Sequence, residues 1–135
     1  MAKSLQHIHI LIKAEIDYPK ALDFDELKDW ASELVQEQGL EPVAGPFVSM
    51  VTDEGNKGPT GGVHIKTSHL AFHIWEEIGM MQADLYTCGD LDVDKFLARL
   101  AVFGPSSIEY MVLDRQSGFK VLEAGTLYPS FDYFD

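Results

Sequence analysis

The sequence predicts an α+β fold, a two-layer sandwich in which an antiparallel sheet carries its helices on one face. Two segments repeat apolar residues at three- and four-residue spacing, as amphipathic helices do, and the other segments alternate apolar and polar residues, as half-buried strands do. Their order is strand, helix, a run of strands, helix and further strands. The central strands carry large apolar or functional residues on both faces, so we expect the uncovered face to pair in a dimer.

Length and composition limit the class of protein. A chain of 135 residues suits one domain, residues 1–135. The net charge of −12 argues against nucleic-acid binding, which needs Lys and Arg at phosphates, and is compatible with a cationic small-molecule substrate. The sequence shows no apolar run of the roughly 18 residues that a membrane span needs, and no signal-peptide pattern. One cysteine cannot form an internal disulfide, which favours a reducing compartment and hence the cytoplasm.

The first half of the chain predicts a strand, a helix and a second strand. Isoleucines alternate with His7 and His9 over residues 7–16, which predicts the first strand. Residues 23–38 form the first helix, with Asp23 as its N-cap and Gly39 placed to end it. Residues 42–51 form the second strand, interrupted at Gly45-Pro46, and residues 53–60 form a loop.

The second half begins with a run of strands. Alternation over residues 63–68 and again over 69–74 predicts two of them. Ser68 and His73 are an odd number of positions apart, so a straight strand places them on opposite faces and they meet only if the chain bends. A helix follows over residues 92–103, then a strand over 107–114 and, after a turn at 116–118, a hairpin partner over 119–122.

Residues 68–89 carry a spaced set of chemically distinctive side chains. The set comprises Ser68, His69, Leu70, His73, Trp75, Glu77, Gly79, Asp84, Thr87, Cys88 and Gly89. In identity and spacing it resembles the short, prokaryotic-type S-adenosylmethionine decarboxylase family. The resemblance extends over about residues 6–115, and residues 116–135 form an additional C-terminal hairpin or tail.

The resemblance implies self-cleavage between Thr67 and Ser68, which leaves a covalent pyruvoyl cofactor at position 68. The Ser68 hydroxyl attacks the Thr67 carbonyl, and the resulting ester is eliminated and hydrolysed. A serine hydroxyl is a weak nucleophile without assistance. The family implies His73 as the base for processing and Thr60 as the assisting hydroxyl.

The same resemblance implies the roles used in decarboxylation. The pyruvoyl group derived from Ser68 forms a Schiff base with the substrate amine and accepts electrons as carbon dioxide leaves. Cys88 returns a proton to the substrate carbon, and Glu77 binds the substrate. The family forms homodimers, here of cleaved protomers, with active sites at or near the subunit interface.

Several departures from the family pattern keep alternatives open. Thr67 replaces the usual glutamate before the processing serine, and Met50 stands near an expected aromatic residue that could stack on adenine. A pyruvoyl-dependent decarboxylase of arginine or ornithine, or an unprocessed non-enzymatic relative, therefore stands beside the leading interpretation. Metal binding by His64, His69 and His73 lacks a recognisable ligand set, so no metal is predicted.

Overall fold

The computed structural model describes residues 7–17 and 22–129. Over these residues the order of elements is strand, helix, four strands, helix and two strands. The strands are β1 (Ile8–Glu15), β2 (Pro42–Val51), β3 (Gly58–Ile65), β4 (Ser68–Trp75), β5 (Met80–Thr87), β6 (Ser107–Asp114) and β7 (Lys120–Leu127). The helices are α1 (Phe24–Glu37) and α2 (Val93–Ala98), and α2 continues as a 3-10 turn over Arg99–Phe103.

The seven strands form one antiparallel sheet in the order β2-β3-β4-β5-β1-β6-β7. Strand β1 lies between β5 and β6, so Leu11 is directly opposite Asp84 on one side and Met111 on the other. Directly opposite residues share a face. The predicted α+β class and antiparallel sheet are confirmed.

One face of the sheet packs against both helices. Its side chains are the alternate, buried residues of the central strands, among them Ile10, Leu70 and Leu85. They form a single cluster with the apolar stripe of α1, Leu27, Trp30, Ala31, Leu34 and Val35, and with the buried residues of α2 and its extension. The opposite sheet face, called the open face below, carries His9, Leu11, His69, His73, Asp84 and Met111.

Several predicted boundaries differ from the observed ones. The strand predicted over residues 63–68 is β3, Gly58–Ile65, and Ser68 instead begins β4. The loop predicted over residues 53–60 ends early, because β3 begins at Gly58. Gly58 has φ 148° and a Cβ there would lie 1.8 Å from the Ile74 carbonyl oxygen, so a glycine lets β4 approach closely. The helix predicted over residues 92–103 tightens at Arg99, whose carbonyl accepts a 2.7 Å hydrogen bond from Trp30 Nε1.

Helix α1 and strands β1, β2 and β6 lie close to their predicted bounds. The interruption at Gly45-Pro46 is confirmed as a register shift between Ala44 and Phe47. The hairpin predicted after residues 116–118 is confirmed, but its second strand is longer than expected and includes Thr126. The last part of the predicted tail, residues 130–135, lies outside the described residues, as does the first position of the predicted resemblance, residue 6. Within residues 7–17 and 22–129, no helix is both long and apolar enough to cross a membrane.

Candidate active site

The Thr67–Ser68 peptide lies in the tight turn between β3 and β4. Ile65 is directly opposite Ser68, so only Lys66 and Thr67 form the turn. The Ser68 hydroxyl oxygen accepts a 3.2 Å hydrogen bond from the Cys88 backbone N–H. The Cys88 thiol donates to the Thr67 carbonyl oxygen at 3.5 Å. Cys88 thus contacts both the hydroxyl and the carbonyl that the predicted acyl shift would join.

Two side chains that the sequence reasoning missed surround the Cys88 thiol. Its sulfur lies 3.6 Å from Nδ1 of His7 and donates to the Tyr86 hydroxyl at 3.9 Å. The Tyr86 hydroxyl and His7 Nδ1 are 2.6 Å apart. Alternation already places Tyr86 and Cys88 on one side of β5. The position of His7 beside them follows only from the pairing of β1 with β5.

Tyr86 is held in a defined electrostatic environment. The Arg115 guanidinium carbon lies 4.2 Å from the centre of the Tyr86 ring, a distance typical of a cation–π contact. Burial, reinforced by the neighbouring Cys88 and opposed by Arg115, raises the pKa of Tyr86 above its usual value. The phenol therefore keeps its proton at neutral pH.

A second group of predicted site residues lies at the other end of β4. Thr60 is directly opposite His73, and its hydroxyl donates to the Phe72 carbonyl at 3.3 Å. His73 Nε2 is 3.0 Å from the Asn56 carbonyl oxygen, and Trp75 Nε1 donates to the Asn56 side-chain oxygen at 3.0 Å. A carbonyl can only accept, so His73 carries a proton on Nε2. In the neutral ring, Nδ1 then offers the lone pair that a general base needs.

Ser68 and His73 do not meet within one protomer. Strand β4 pairs with both neighbours from His69 to His73 without a register shift, so the bend that their meeting required does not occur. Five residues of extended strand span about 17 Å. The structure therefore groups Ser68 with Cys88 and, separately, Thr60 with His73. Their individual roles stay predictions.

Glu77, the predicted substrate-binding carboxylate, follows the Thr60–His73 group at the end of β4. It forms a 3.6 Å ion pair with Lys57, and both side chains are more than half exposed. Exposed pairs of this kind contribute little to stability, so Glu77 is available to a ligand. Phe47 is an exposed aromatic ring that the sequence reasoning passed over. It lies opposite Gly62 on the open face, with its ring 6.0 Å from that of His64.

A hydrogen-bonded network lies on the open face between the two groups. Asp84 Oδ2 is 2.8 Å from His9 Nε2 and 2.6 Å from His69 Nε2. Burial alone would raise the pKa of Asp84, but the bonds to both histidines outweigh burial and the net pKa lies below its usual value.

The donor atoms of His9, His69 and Asp84 lie within 4.8 Å of one another, close enough to hold a metal ion. Arg115 argues for hydrogen bonding instead, because its guanidinium donates to His9 Nδ1 at 3.1 Å. This contact fixes the neutral His9 proton on Nε2, the atom that a metal would need. The set considered from sequence, His64, His69 and His73, is not grouped in this way.

Comparison with known proteins identifies the family. The sequence pattern of the family described as S-adenosylmethionine decarboxylase matches residues 9–116. The chain belongs to this family. Among similar proteins are the S-adenosylmethionine decarboxylase proenzymes of Archaeoglobus fulgidus, 45% identical over 60 residues, and of Picrophilus torridus, 38% identical over 65 residues. These matches cover 43% and 47% of this chain and only 54% and 50% of the two relatives, so the chain matches about half of their length.

A solved structure of another protein has a similar fold. The adenosylmethionine decarboxylase from Aquifex aeolicus VF5 superimposes with a TM-score of 0.62 and 24% identity. The comparison covers 91% of this chain and 99% of that protein. The resemblance that the Ser68–Gly89 residues indicated is therefore confirmed at the level of family and fold.

Proposed function

We propose that this chain is the proenzyme of a pyruvoyl-dependent S-adenosylmethionine decarboxylase that cleaves itself between Thr67 and Ser68. Family membership supports the proposal, and the contacts of Cys88 with both reacting groups of the Thr67–Ser68 peptide carry it. In this reading the product supplies aminopropyl groups for polyamines such as spermidine. The cytoplasmic location inferred from the single cysteine stays a prediction.

Processing needs a nucleophile, a base and a partner for the developing oxyanion. The Ser68 hydroxyl attacks the Thr67 carbonyl carbon, its proton passes to a base, and the amide becomes an ester. The Cys88 thiol, already at the Thr67 carbonyl, donates to the oxygen on which negative charge develops. Elimination then breaks the ester, and hydrolysis of the new terminus releases ammonia and leaves the ketone.

The base comes from a second protomer in the proposed assembly. His73 has its lone pair on Nδ1 but lies about 17 Å along β4 from Ser68. The Thr60–His73 group lies on the open face at one end of β4. At the other end the Cys88 thiol, on the same side as Tyr86, brings the Thr67 carbonyl to the edge of that face. A two-fold axis through that face places the two copies of β4 in opposite directions. The Thr60–His73 group of one protomer then meets the Ser68–Cys88 group of the other.

The residues around Ser68 fit a pyruvoyl group, since it forms from the atoms of Ser68 itself. The Cys88 N–H at the Ser68 oxygen and the thiol beside it would hold and face the group. When present, the group condenses with the substrate amine and withdraws electrons as carbon dioxide leaves. Cys88 then supplies a proton to the substrate carbon.

Substrate recognition in this proposal draws on charge and on one aromatic ring. Glu77 provides a carboxylate for a cationic substrate, and the chain as a whole carries a net charge of −12. Phe47 offers an exposed flat surface on the open face for a nucleoside base, a contact worth about 1 kcal/mol. It compensates for Met50, where the sequence lacks the expected aromatic residue.

The first experiment is intact mass analysis under denaturing conditions after prolonged incubation. We expect two fragments, the C-terminal one beginning at position 68 and blocked by the pyruvoyl group. Ser68→Ala is expected to stay one chain, and Ser117→Ala, at an exposed serine in the turn before β7, serves as the matched control that still cleaves. A wild-type chain that stays intact would remove the cofactor and with it the enzymatic function.

Carbon dioxide release then identifies the substrate. S-adenosylmethionine, arginine and ornithine are compared with the cleaved protein, each labelled at its carboxyl carbon. We expect release from S-adenosylmethionine alone. Release from arginine or ornithine instead would refute the proposed substrate while leaving the pyruvoyl chemistry intact.

A further inference from the structure

The Cys88 thiol stands at the end of a hydrogen-bond chain through Tyr86 to His7 that the proposed function does not use. The thiol donates to the Tyr86 oxygen at 3.9 Å, and the Tyr86 oxygen lies 2.6 Å from His7 Nδ1. The direct distance from Cys88 sulfur to His7 Nδ1 is 3.6 Å. The three groups come from the starts or ends of β1 and β5, and they are brought together only by strand pairing.

A thiol that gives a proton to substrate in every cycle must regain one in every cycle. This requirement rests on the proposed decarboxylase function, in which Cys88 is the proton donor. An imidazole is suited to resupply it, because its ordinary pKa near 6.5 allows it to take a proton from water at neutral pH. A tyrosine hydroxyl that keeps its own proton can pass one on without becoming charged.

We propose that His7 and Tyr86 form a relay that returns a proton to Cys88 after each turnover. Once Cys88 has given up its proton, the His7 imidazolium gives its Nδ1 proton to the Tyr86 oxygen while the Tyr86 O–H gives its proton to the Cys88 thiolate. This direction is the reverse of the resting state, in which the thiol donates to Tyr86. One proton moves at each step, neutral His7 and a thiol result, and His7 is reloaded by water. Neither His7 nor Tyr86 needs to contact substrate, so both act as positioning residues.

The surroundings of Tyr86 suit this relay. Arg115 packs on the face of its ring at 4.2 Å, which restricts the ring and keeps the hydroxyl between His7 and Cys88. Arg115 also donates its backbone N–H to the His7 carbonyl at 2.7 Å, which ties the end of β6 to the start of β1. The titratable groups near the relay include His9 and His69, whose ring centres lie 5.7 and 6.1 Å from that of Tyr86. Asp84 is bonded to both histidines, and His9 Nδ1 accepts from Arg115.

The relay predicts a measurable property of the thiol before any chemistry on substrate. An imidazole whose Nδ1 lies 3.6 Å from the Cys88 sulfur stabilises the thiolate by hydrogen bonding. A tenfold larger thiolate fraction is partly offset by the weaker nucleophilicity of the stabilised thiolate, which leaves about a threefold gain in rate. Removing His7 should therefore slow the reaction of Cys88 with an alkylating reagent at pH 7 about threefold.

The test is run first on the uncut Ser68→Ala chain, so that it does not depend on processing or decarboxylation. Cys88 is the only cysteine, so iodoacetamide labelling followed by mass reports its reactivity alone. We expect His7→Ala to shift the pH profile of labelling to higher pH and Tyr86→Phe, which keeps the ring, to shift it less. His64→Ala, another histidine of the open face, is the matched control without a shift. Unchanged profiles in both His7→Ala and Tyr86→Phe would overturn the relay.

The second arm uses the cleaved enzyme. His7→Ala is expected to lower kcat about tenfold with KM unchanged, and added imidazole is expected to restore part of kcat. A loss of kcat that imidazole does not restore, or an equal rise in KM, would also overturn the relay. If the cleaved enzyme releases no carbon dioxide at all, the proposed function fails while the labelling result still stands.

Discussion

Co-expression of two inactive variants tests whether the site is shared between protomers. The variants are Ser68→Ala, which removes the proposed nucleophile, and His73→Ala, which removes the proposed base. In the structure β4 separates the two residues by about 17 Å, so His73 can act on Ser68 only from another protomer. Each variant expressed alone is expected to stay uncut or, for His73→Ala, to be cut at least about 100-fold more slowly, the usual contribution of a general base.

The expected yield follows from symmetry. When the two chains are made in equal amounts and pair at random, half of the His73→Ala chains have a Ser68→Ala partner. Such a heterodimer keeps one complete site, formed by Ser68 of the His73→Ala chain and His73 of the Ser68→Ala chain. About half of the His73→Ala chains, and none of the Ser68→Ala chains, should therefore be cut.

Different affinity tags on the two chains allow the heterodimer to be isolated and each chain to be weighed by mass spectrometry. His64→Ala in place of His73→Ala is the matched control, because His64 is also an exposed histidine of the open face but lies beside Phe47 rather than Asn56. An isolated heterodimer in which the His73→Ala chain stays whole would refute the shared site. Normal cutting of His73→Ala alone would refute the role of His73.

Four further predictions concern single positions. Cys88→Ala should still be cut, but more slowly, because the Thr67 carbonyl loses the thiol that donates to it while the backbone N–H at Ser68 remains. Carbon dioxide release should fall about 100-fold or more; loss of folding without a separate effect on turnover would favour a packing role. Thr67→Glu, which restores the family residue and removes a stiff β-branched side chain next to the carbonyl that Ser68 attacks, should accelerate cleavage in a mass time course. Slower cleavage would show that Thr67 does not hinder the acyl shift. The fold lowers the pKa of Asp84. Its contribution to stability is therefore present above the unfolded pKa of about 3.9 and is lost as pH falls through the lower folded pKa. In urea unfolding, Asp84→Asn should differ from wild type at pH 6 and converge with it near pH 2. Trp30→Phe leaves the Arg99 carbonyl without its hydrogen-bond donor. The free energy of unfolding, measured by circular dichroism, should fall by about 1–3 kcal/mol. An unchanged value would show that water replaces the indole.

Local patterns predicted the elements well because those patterns are local. The apolar stripe of α1 and its Asp23 cap lie within one helix, and the cap is present with its reciprocal bond from Glu26. The bounds of β2 were predicted without error for the same reason. The loop before β3 was predicted too long because Gly58 and Pro59 look like loop residues, although the close approach of β4 requires a glycine there.

The site was only partly predictable because it depends on which strands are neighbours. Spacing identified Ser68 and Cys88, and the hairpin and β5 bring them together. His7 could be seen as polar on an alternating strand, but its contact with Cys88 requires β1 to lie next to β5, a pairing across about eighty residues that periodicity cannot reveal. Their odd spacing predicted that Ser68 and His73 meet only if the chain bends. Because β4 is straight, His73 can reach Ser68 only from a partner.

The open face gives a physical reason for that partner beyond catalysis. Leu11 and Met111 lie side by side on it, 39% and 41% exposed, and begin an apolar row. The pairing of β6 with β7 extends this row to Ala124. It also brings Val121, 56% exposed, opposite Leu113. The Asp84 network lies between the two halves of the proposed site, and the apolar row runs from Leu11, directly opposite Asp84, across β6 and β7. A second copy that covers the face buries the apolar row and brings His73 to Ser68 in one step. Met111→Asp should therefore weaken the dimer and slow cleavage together. Val102→Asp, at an exposed residue on the helix side, should do neither. Gel filtration and mass analysis of the same samples measure both effects, and a weakened dimer with normal cleavage would contradict the shared site.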